Sequence, residues 1–308
     1  MKRDIIVICG PTAVGKTEYA IKTALKMNGE VVSCDSMQLY KYMDIGSAKP
    51  TAVEQAQVRH HLVDQIDPSE AFSAAKYQAL AKAAIEDIFS RQKTPVIAGG
   101  TGLYLNALLY EMDFSAPPRK DAFRDQLYKE AAEMGPLFIY EKLVKADPQA
   151  ADRIHPNNVK KVIRALEAAE AGERVKDFAK DLVPTNEYSA TLIGLTRDRD
   201  QLYDRINRRV ELLVEQGLLE EVKKLLAMGL TESDISMKGI GYKEIIAYYK
   251  GQYDLEEAID MVKKNTRHYA KRQLTWFKRY KDMKWFNISE YDSDTDCLEE
   301  IFKWLEKR

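Results

Sequence analysis

Two periods of apolar and polar positions divide the chain. Short apolar runs recur at "DIIVIC" (4–9), "EVVSCD" (30–35), "TPVIAGG" (94–100), "SATLIGLT" (189–196) and "KWFNIS" (284–289). Runs of this length, several of them rich in β-branched side chains, predict strands buried in a parallel sheet. Longer stretches between them return an apolar residue every three or four positions. In "GKTEYAIKTALKM" the residues Ala20, Ala24 and Met27 form one stripe that can face a sheet, which predicts a helix directly after the first strand. Strands alternating with helices are the pattern of an α/β protein, a parallel sheet flanked by helices on both faces.

One region breaks the alternation. From 114 to 187 no strand pattern occurs; "DAFRDQLYKEAAEMG", "PLFIYEKLVKAD" and "NNVKKVIRALEAAEAG" all carry the helical period, between the loop-like stretches "SAPPRK" and "LVPTNE". The expected organisation is therefore an α/β core from 1–113 and 188–308 with an all-helical insertion domain at 114–187. A second helical block, "RDQLYDRINRRVELLVEQGLLEEVKKLLAMG", returns the chain to the core after Thr196.

The junction of the first strand and helix reads "GPTAVGKT", residues 10–17. This is the G-x-x-x-x-G-K-[ST] spacing of a P-loop in its required strand–loop–helix context, and it makes the expected sheet P-loop NTPase-like. Backbone N–H groups from Gly10, Pro11, Thr12, Ala13, Val14 and Gly15 onward can wrap phosphate oxygens; Pro11 contributes none of its own. Lys16 adds a point charge, and the Thr17 hydroxyl can reach Mg²⁺. The loop alone does not distinguish a nucleoside triphosphate from any other di- or triphosphate.

Composition narrows the class. The 308 residues are 45% hydrophobic and 31% charged, the balance of an ordinary soluble protein. No apolar run approaches the roughly 18 residues of a membrane span, and the N-terminus enters a strand without a leader pattern. Cys9, Cys34 and Cys297 are scattered without metal spacing, and two fall in buried strands, as expected in a reducing cytoplasm. The adjacent His60 and His61 are expected in local hydrogen bonds. A formal net charge of −1 argues against a nucleic-acid partner until its distribution is considered. From 263 to 284 the chain carries nine Lys or Arg against one acid, Asp282. As a helix this stretch gathers Lys264, Arg267, Lys271 and Lys278 in one wedge, with Tyr269, Trp276 and Tyr280 on nearly the opposite side. One face can dock on the protein while the other meets solvent or a polyanion such as RNA.

Three more strand ends carry candidate chemistry, because open parallel sheets bind ligands at the carboxyl ends of their strands. The second strand ends in Asp35, followed by Ser36, Gln38 and Tyr40. Asp35 suits either a Mg²⁺-associated carboxylate or a general base beside an acceptor. In "AGGTGLYLNALL" the glycines permit close packing, and Thr101 stands where a nucleotide hydrolase would often carry an acid. After Thr196, Arg197 and Arg199 can lean over bound phosphates.

Together "GPTAVGKT", "SCDSMQLYKYMDIGSAKP", "HHLVD", "AGGTGLY", "KGIGYKE" and "TRHYAKRQLTWFKR" closely resemble the tRNA dimethylallyltransferases, in order from Gly10 to about Arg279. The resemblance implies transfer of a dimethylallyl group from dimethylallyl diphosphate to N6 of adenosine 37 in the anticodon stem-loop of tRNA. It assigns the P-loop to the donor's diphosphate, with Mg²⁺ on Thr17. Asp35 becomes the base that accepts the amine proton, Thr101 a contact to the reacting groups, and Lys16 and Arg197 the cations that stabilise the leaving diphosphate. For tRNA it points to Asp35, Ser36, Met37, Gln38, Thr101, Phe123, Lys160, Lys161, Lys238, Gly239, Lys243, Arg267, Lys271 and Arg272, on a core and an insertion that embrace the anticodon arm from two sides. A cytoplasmic monomer with no obligate protein partner and no membrane association is the matching expectation. A P-loop small-molecule kinase, an RNA-binding protein that only senses a ligand and a free adenine-nucleotide prenyltransferase are the alternatives; each leaves part of the pattern without a task.

Overall fold

The computed structural model describes residues 2–112, 121–173 and 182–307. These divide into two compact units, one from the chain's two ends (up to Tyr110 and from Pro184) and one from Glu111 to Val183. The "SAPPRK" stretch, 115–120, lies outside the described residues.

The first unit is built on six parallel strands in the order β3-β2-β4-β1-β5-β6. Its amino-terminal part runs β1 (Arg3–Cys9), α1 (Lys16–Lys26), β2 (Gly29–Cys34), α2 (Ala52–Gln57), β3 (His60–His61), α3 (Ala74–Ser90), β4 (Thr94–Gly99) and α4 (Gly102–Leu109). The second unit holds α5 (Asp121–Met134), α6 (Pro136–Ala146), α7 (Pro148–Ala151) and α8 (Val159–Glu170). The chain then returns through β5 (Tyr188–Thr196), α9 (Arg199–Glu215), α10 (Leu218–Ala227), α11 (Tyr242–Tyr249), α12 (Leu255–Phe277), β6 (Lys284–Asn287) and α13 (Asp294–Leu305).

Alternation along β1 explains why the sheet is covered on both faces. Ile5, Val7 and Cys9 enter one core with Val32, Ile97, Tyr77, Leu105, Val222 and Phe277; Ile6 and Ile8 enter the other with Val96, Ile193, Ala20, Ala24, Ile206 and Ile301. Beyond the exposed Arg3 and Asp4, β1 is apolar and buried at every position from Ile5 to Cys9 and so has no solvent face there. Of the predicted stripe, Ala20 and Ala24 of α1 are fully buried, and Met27, at the helix C-cap, is partly buried against the same core.

Two boundaries differ from the sequence expectation. The block at 199–229 is two helices, because Gly217 adopts φ 103°, a left-handed conformation that ends α9's run and starts α10. The basic stretch stops being helical at Phe277, and Tyr280 is buried beyond the helix end, where its hydroxyl donates to Asn106. The two-residue β3 is too short to show any period; it pairs Val31 and Val32 through His60 and His61. Those histidines do form local bonds, His61 Nε2 with Glu30 Oε2 at 2.7 Å and His60 Nδ1 with the Val58 carbonyl at 2.8 Å.

In the helical unit, Leu127, Ile139, Leu143, Val162, Ile163 and Leu166 form a separate core. Phe123 packs against that core, whereas Lys160 and Lys161 on α8 are exposed. Among the described residues no helix is long and apolar enough to cross a membrane.

Candidate active site

The register of the sheet assembles the site. Cys34 of β2 pairs with Gly99 of β4, and Gly99 pairs with Cys9 of β1, so Asp35, Gly100 and Gly10 leave the sheet side by side on its carboxyl rim. Strand spacing of about 4.8 Å puts the Asp35 end about 10 Å from the start of the phosphate loop. Arg197 follows β5, the next strand over.

The loop's carbonyls are turned toward cations. Lys16 Nζ donates to the Pro11 carbonyl at 2.8 Å, Arg205 Nε to Ala13 at 2.9 Å and Arg197 Nε to Val14 at 3.2 Å. Ala13 holds φ 63°, a left-handed conformation uncommon for a side chain with a Cβ and typical of backbone fixed by function. The Thr12 amide is taken by Gln273 Oε1 at 2.9 Å and the Val14 amide by the Pro11 carbonyl at 3.4 Å, so the amides of Ala13, Gly15 and the first turn of α1 are the ones that can form the concave nest that anions occupy. Thr17, the second residue of α1, is part-exposed. Among the described residues no group of three or more His, Cys, Asp or Glu could hold a metal. A metal here would arrive with phosphate oxygens and water as its main ligands, the usual habit of Mg²⁺, and the Thr17 hydroxyl fits that role.

Sequence spacing directs Arg197 at the phosphates. In the structure its side chain is nearly buried, and Nη2 donates to both carboxylate oxygens of Asp294, at 2.7 and 2.8 Å. It braces the loop from behind. Arg209, one turn beyond Arg205 on α9, is a further cation in the field of Asp35; burial pushes its guanidinium down from the ordinary value and Asp35 acts against that shift. Lys16 is in the same field. Burial pushes its ammonium down to about 8, Asp35 acts against that shift and Arg209 with it.

The acceptor side is stitched between β2 and β4. Asp35 Oδ1 accepts from the Met37 amide at 2.9 Å, the Ser36 amide donates to Thr101 Oγ1 at 3.0 Å, and the Thr101 amide donates to the Cys34 carbonyl at 3.1 Å. Gln38 ties its loop to β2: its Oε1 accepts from Ser33 Oγ at 2.9 Å and its Nε2 donates to the Ala48 carbonyl at 3.3 Å. Tyr269 of α12 completes this wall, its hydroxyl raised in pKa by burial and by Asp35, with Thr101 opposing. The glycines of "AGGTGLY" make room for α12. A Cβ on Gly100 would lie 2.2 Å from Gln273 Nε2, and one on Gly102 2.2 Å from Trp276 Cδ1.

Loop 36–49 is held from the far side by a buried carboxylate. Glu221, 8% exposed, accepts from the amides of Asp44, Ile45 and Gly46 at 2.7, 2.7 and 2.9 Å and from the Tyr242 hydroxyl at 2.8 Å. The Lys49 side chain is also buried, between Asp44 and Asp64. Met37 meets Gly239, where a Cβ would lie 2.6 Å from the methionine methyl. The predicted cations around this rim are exposed at Lys238, Lys243, Lys271 and Arg272; Arg267 is part-exposed and donates to Asn207 Oδ1 at 2.6 Å. Arg272 also lies over the Tyr269 ring, 5.7 Å from its centroid. Phe123, Lys160 and Lys161 belong to the helical unit.

A profile of the IPP transferase family matches residues 38–280. The chain belongs to this family. Its relatives include tRNA dimethylallyltransferases from Alkaliphilus oremlandii, 52% identical over 98% of this chain and 97% of that protein, and from Clostridioides difficile, 48% identical over 99% and 98%. Two solved structures resemble it closely. The tRNA isopentenylpyrophosphate transferase of Bacillus halodurans is 44% identical, with a TM-score of 0.75 over 99% of this chain and 96% of that one. A eukaryotic dimethylallyltransferase described as acting on tRNA is 31% identical, with a TM-score of 0.80 over 96% and 75%.

As an IPP transferase the chain has two residues at this rim that sequence spacing does not single out, Arg209 and Gln273. Arg209 has a readable signal, since Arg205 and Arg209 stand one helical turn apart just after the strand end that carries Arg197. Gln273 has one too, a lone amide inside the stripe formed by Tyr269 and Trp276.

Proposed function

We propose that this IPP transferase moves the dimethylallyl group of dimethylallyl diphosphate to N6 of adenosine 37 in tRNA, with diphosphate as the second product. The observation that carries this reading is the register of β2, β4 and β1, by which a phosphate loop and a carboxylate share one rim about two strand spacings apart. That span suits an allyl group between a departing anion and an incoming amine. As the allylic C–O bond breaks, its electron pair goes to diphosphate; the amide nest, Lys16 and Arg209 are set to meet that charge, and they favour the transition state because the charge is larger there. When bound with the donor, Mg²⁺ on Thr17 supplies further neutralisation of the diphosphate. As the C–N bond forms, the adenine amine loses a proton to Asp35, which the Met37 amide and the β2–β4 stitching hold in orientation. An adenine in a loop leaves its stack more cheaply than one in a duplex, which suits an anticodon target.

On this reading Ser36, Met37, Gln38 and Thr101 border the base. Lys238, Gly239, Lys243, Arg267, Lys271 and Arg272 on the core and Phe123, Lys160 and Lys161 on the helical unit meet the RNA. Arg197 acts through the loop it braces. The enzyme works in the cytoplasm and needs no protein partner.

The test is an incubation with labelled dimethylallyl diphosphate or labelled ATP, with and without unmodified tRNA. Label should enter RNA from the prenyl donor alone. Phosphate transfer from ATP with no prenylated RNA would overturn the reading. Asp35→Ala should then lower single-turnover prenylation by about 10² to 10⁴ while leaving tRNA affinity nearly intact. A large affinity loss at an unchanged rate would remove Asp35 from the base role.

A further inference from the structure

α12 has two jobs that its sequence superimposes. Its solvent side carries Lys271 and Arg272, exposed; its inner side sends one amide, Gln273, into the sheet rim, where the residue is 5% exposed. Both ends of that amide are used. Gln273 Oε1 accepts from the Thr12 amide of the phosphate loop at 2.9 Å, and its Nε2 donates to the Gly100 carbonyl, one residue before Thr101, at 3.0 Å. The missing Cβ of Gly100 is what allows this approach.

We propose that Gln273 is a positioning residue for prenyl transfer: a single side chain that ties the loop holding the leaving group to the loop holding the acceptor contact and so fixes their separation. This inference rests on the functional reading above, which supplies the two substrates. The two loops follow adjacent strands, β1 and β4, and past the strand ends Thr12 and Gly100 are joined through the Gln273 amide, whose two bonds span the gap between them. Only a side chain with an acceptor and a donor on one carbon can make both bonds. Leucine has neither. Ionised glutamate keeps the acceptor for Thr12 but sets a charge against the Gly100 carbonyl, and protonated glutamate reproduces both bonds.

Titration of inorganic diphosphate by calorimetry, alongside single-turnover prenylation of unmodified tRNA, tests the proposal on wild type, Gln273→Leu and Gln273→Glu. The Leu variant should bind diphosphate about tenfold more weakly, the loss of two buried hydrogen bonds, and transfer more slowly by at least that factor. For the Glu variant, affinity relative to wild type at the same pH should recover as pH is lowered from about 8 to about 6, because the carbonyl contact and burial raise the carboxyl's pKa. Taking the ratio removes diphosphate's own titration. A Leu variant within twofold of wild type in both assays overturns the proposal, and so does a Glu ratio flat with pH, which would mark Gln273 as packing alone. Should Leu fail to fold, the Glu series decides. If wild type binds diphosphate but prenylates no tRNA, the functional reading falls, while the diphosphate titrations still decide the role of Gln273 in the loop.

Discussion

Lys16 and Glu30 show how burial and partners decide the state of a charge. Burial wins at Lys16 and leaves its ammonium at about 8, so in the absence of an anion it begins to lose its proton near neutrality. A bound diphosphate reverses this by adding charge beside it. Binding should therefore take up a proton above pH 8, and affinity should fall as pH rises through that value. Calorimetry in two buffers of different ionisation heat reads the uptake directly. Lys16→Met should lack that component and bind about tenfold or more weakly, as befits a lost charge-assisted bond; equal proton uptake in the two proteins at pH ~8.5 would contradict the assignment. At Glu30 partners win. Burial alone would raise this carboxyl, but hydrogen bonds from Arg91, His61 and Lys93 outweigh it and hold it at about 2. A depressed carboxyl stabilises the fold above its unfolded value, here 4.5, and that contribution is lost as pH falls from 4.5 toward 2. Glu30→Ala should cost about 3 kcal/mol at neutral pH, since Arg91, Lys93 and His61 all lose the buried carboxylate they share. Urea unfolding of both proteins should show the gap closing as pH drops below 4.5; a gap constant with pH would mean the loss is one of packing.

At the scale of elements, what the sequence reveals depends on whether a signal is local. β1, β2, β4, β5 and β6 are readable because each is an apolar run, and α1 because alanines repeat on one face. β3 is not, since two residues carry no period. The break at Gly217 is visible in the sequence as a glycine, but only its positive φ distinguishes a helix boundary from a tolerated interior glycine. Arg209 and Gln273 escape a reading by spacing because their importance comes from what the sheet register and α12 bring opposite them. The clamp on loop 36–49 is of the same kind: Glu221 sits in an ordinary amphipathic helix, and nothing near it in sequence announces the three amides it receives. Removing that carboxylate leaves three N–H groups and the Tyr242 hydroxyl without their acceptor. Glu221→Ala should cost about 2 kcal/mol of stability and should raise the KM for tRNA severalfold, because Ser36, Met37 and Gln38 lie on the loop it holds. Diphosphate affinity should stay within about twofold, since the P-loop has its own braces. Parallel loss of diphosphate and tRNA binding would show instead that the clamp serves the whole rim.

For the molecule as a whole, the central question is which part each unit contributes. The core closes on itself where the helical unit departs. Tyr110 and Pro184 form an antiparallel bridge, and the Thr185 amide donates to the Leu109 carbonyl at 2.9 Å. Two neighbouring strand-like ends can be joined by a two-residue turn. The sheet, its two apolar cores, the P-loop, Asp35 and Gln273 all lie in the first unit, and the second has a core of its own. Replacing residues 111–183 with Asn-Gly should thus leave a folded, cooperatively melting protein that binds diphosphate within about threefold of the full chain. Prenylation should separate from binding. With Phe123, Lys160 and Lys161 gone, tRNA affinity should drop by about tenfold or more at moderate salt. Its salt dependence should flatten as well, because the logarithmic slope falls by about one for every RNA phosphate the protein no longer neutralises. The shortened protein is then assayed by diphosphate calorimetry and by tRNA binding across a salt series. Intact diphosphate binding with an unchanged salt slope would assign the RNA contacts to the core alone, on Lys238, Lys243, Lys271 and Arg272, and would leave the helical unit without a role in substrate capture.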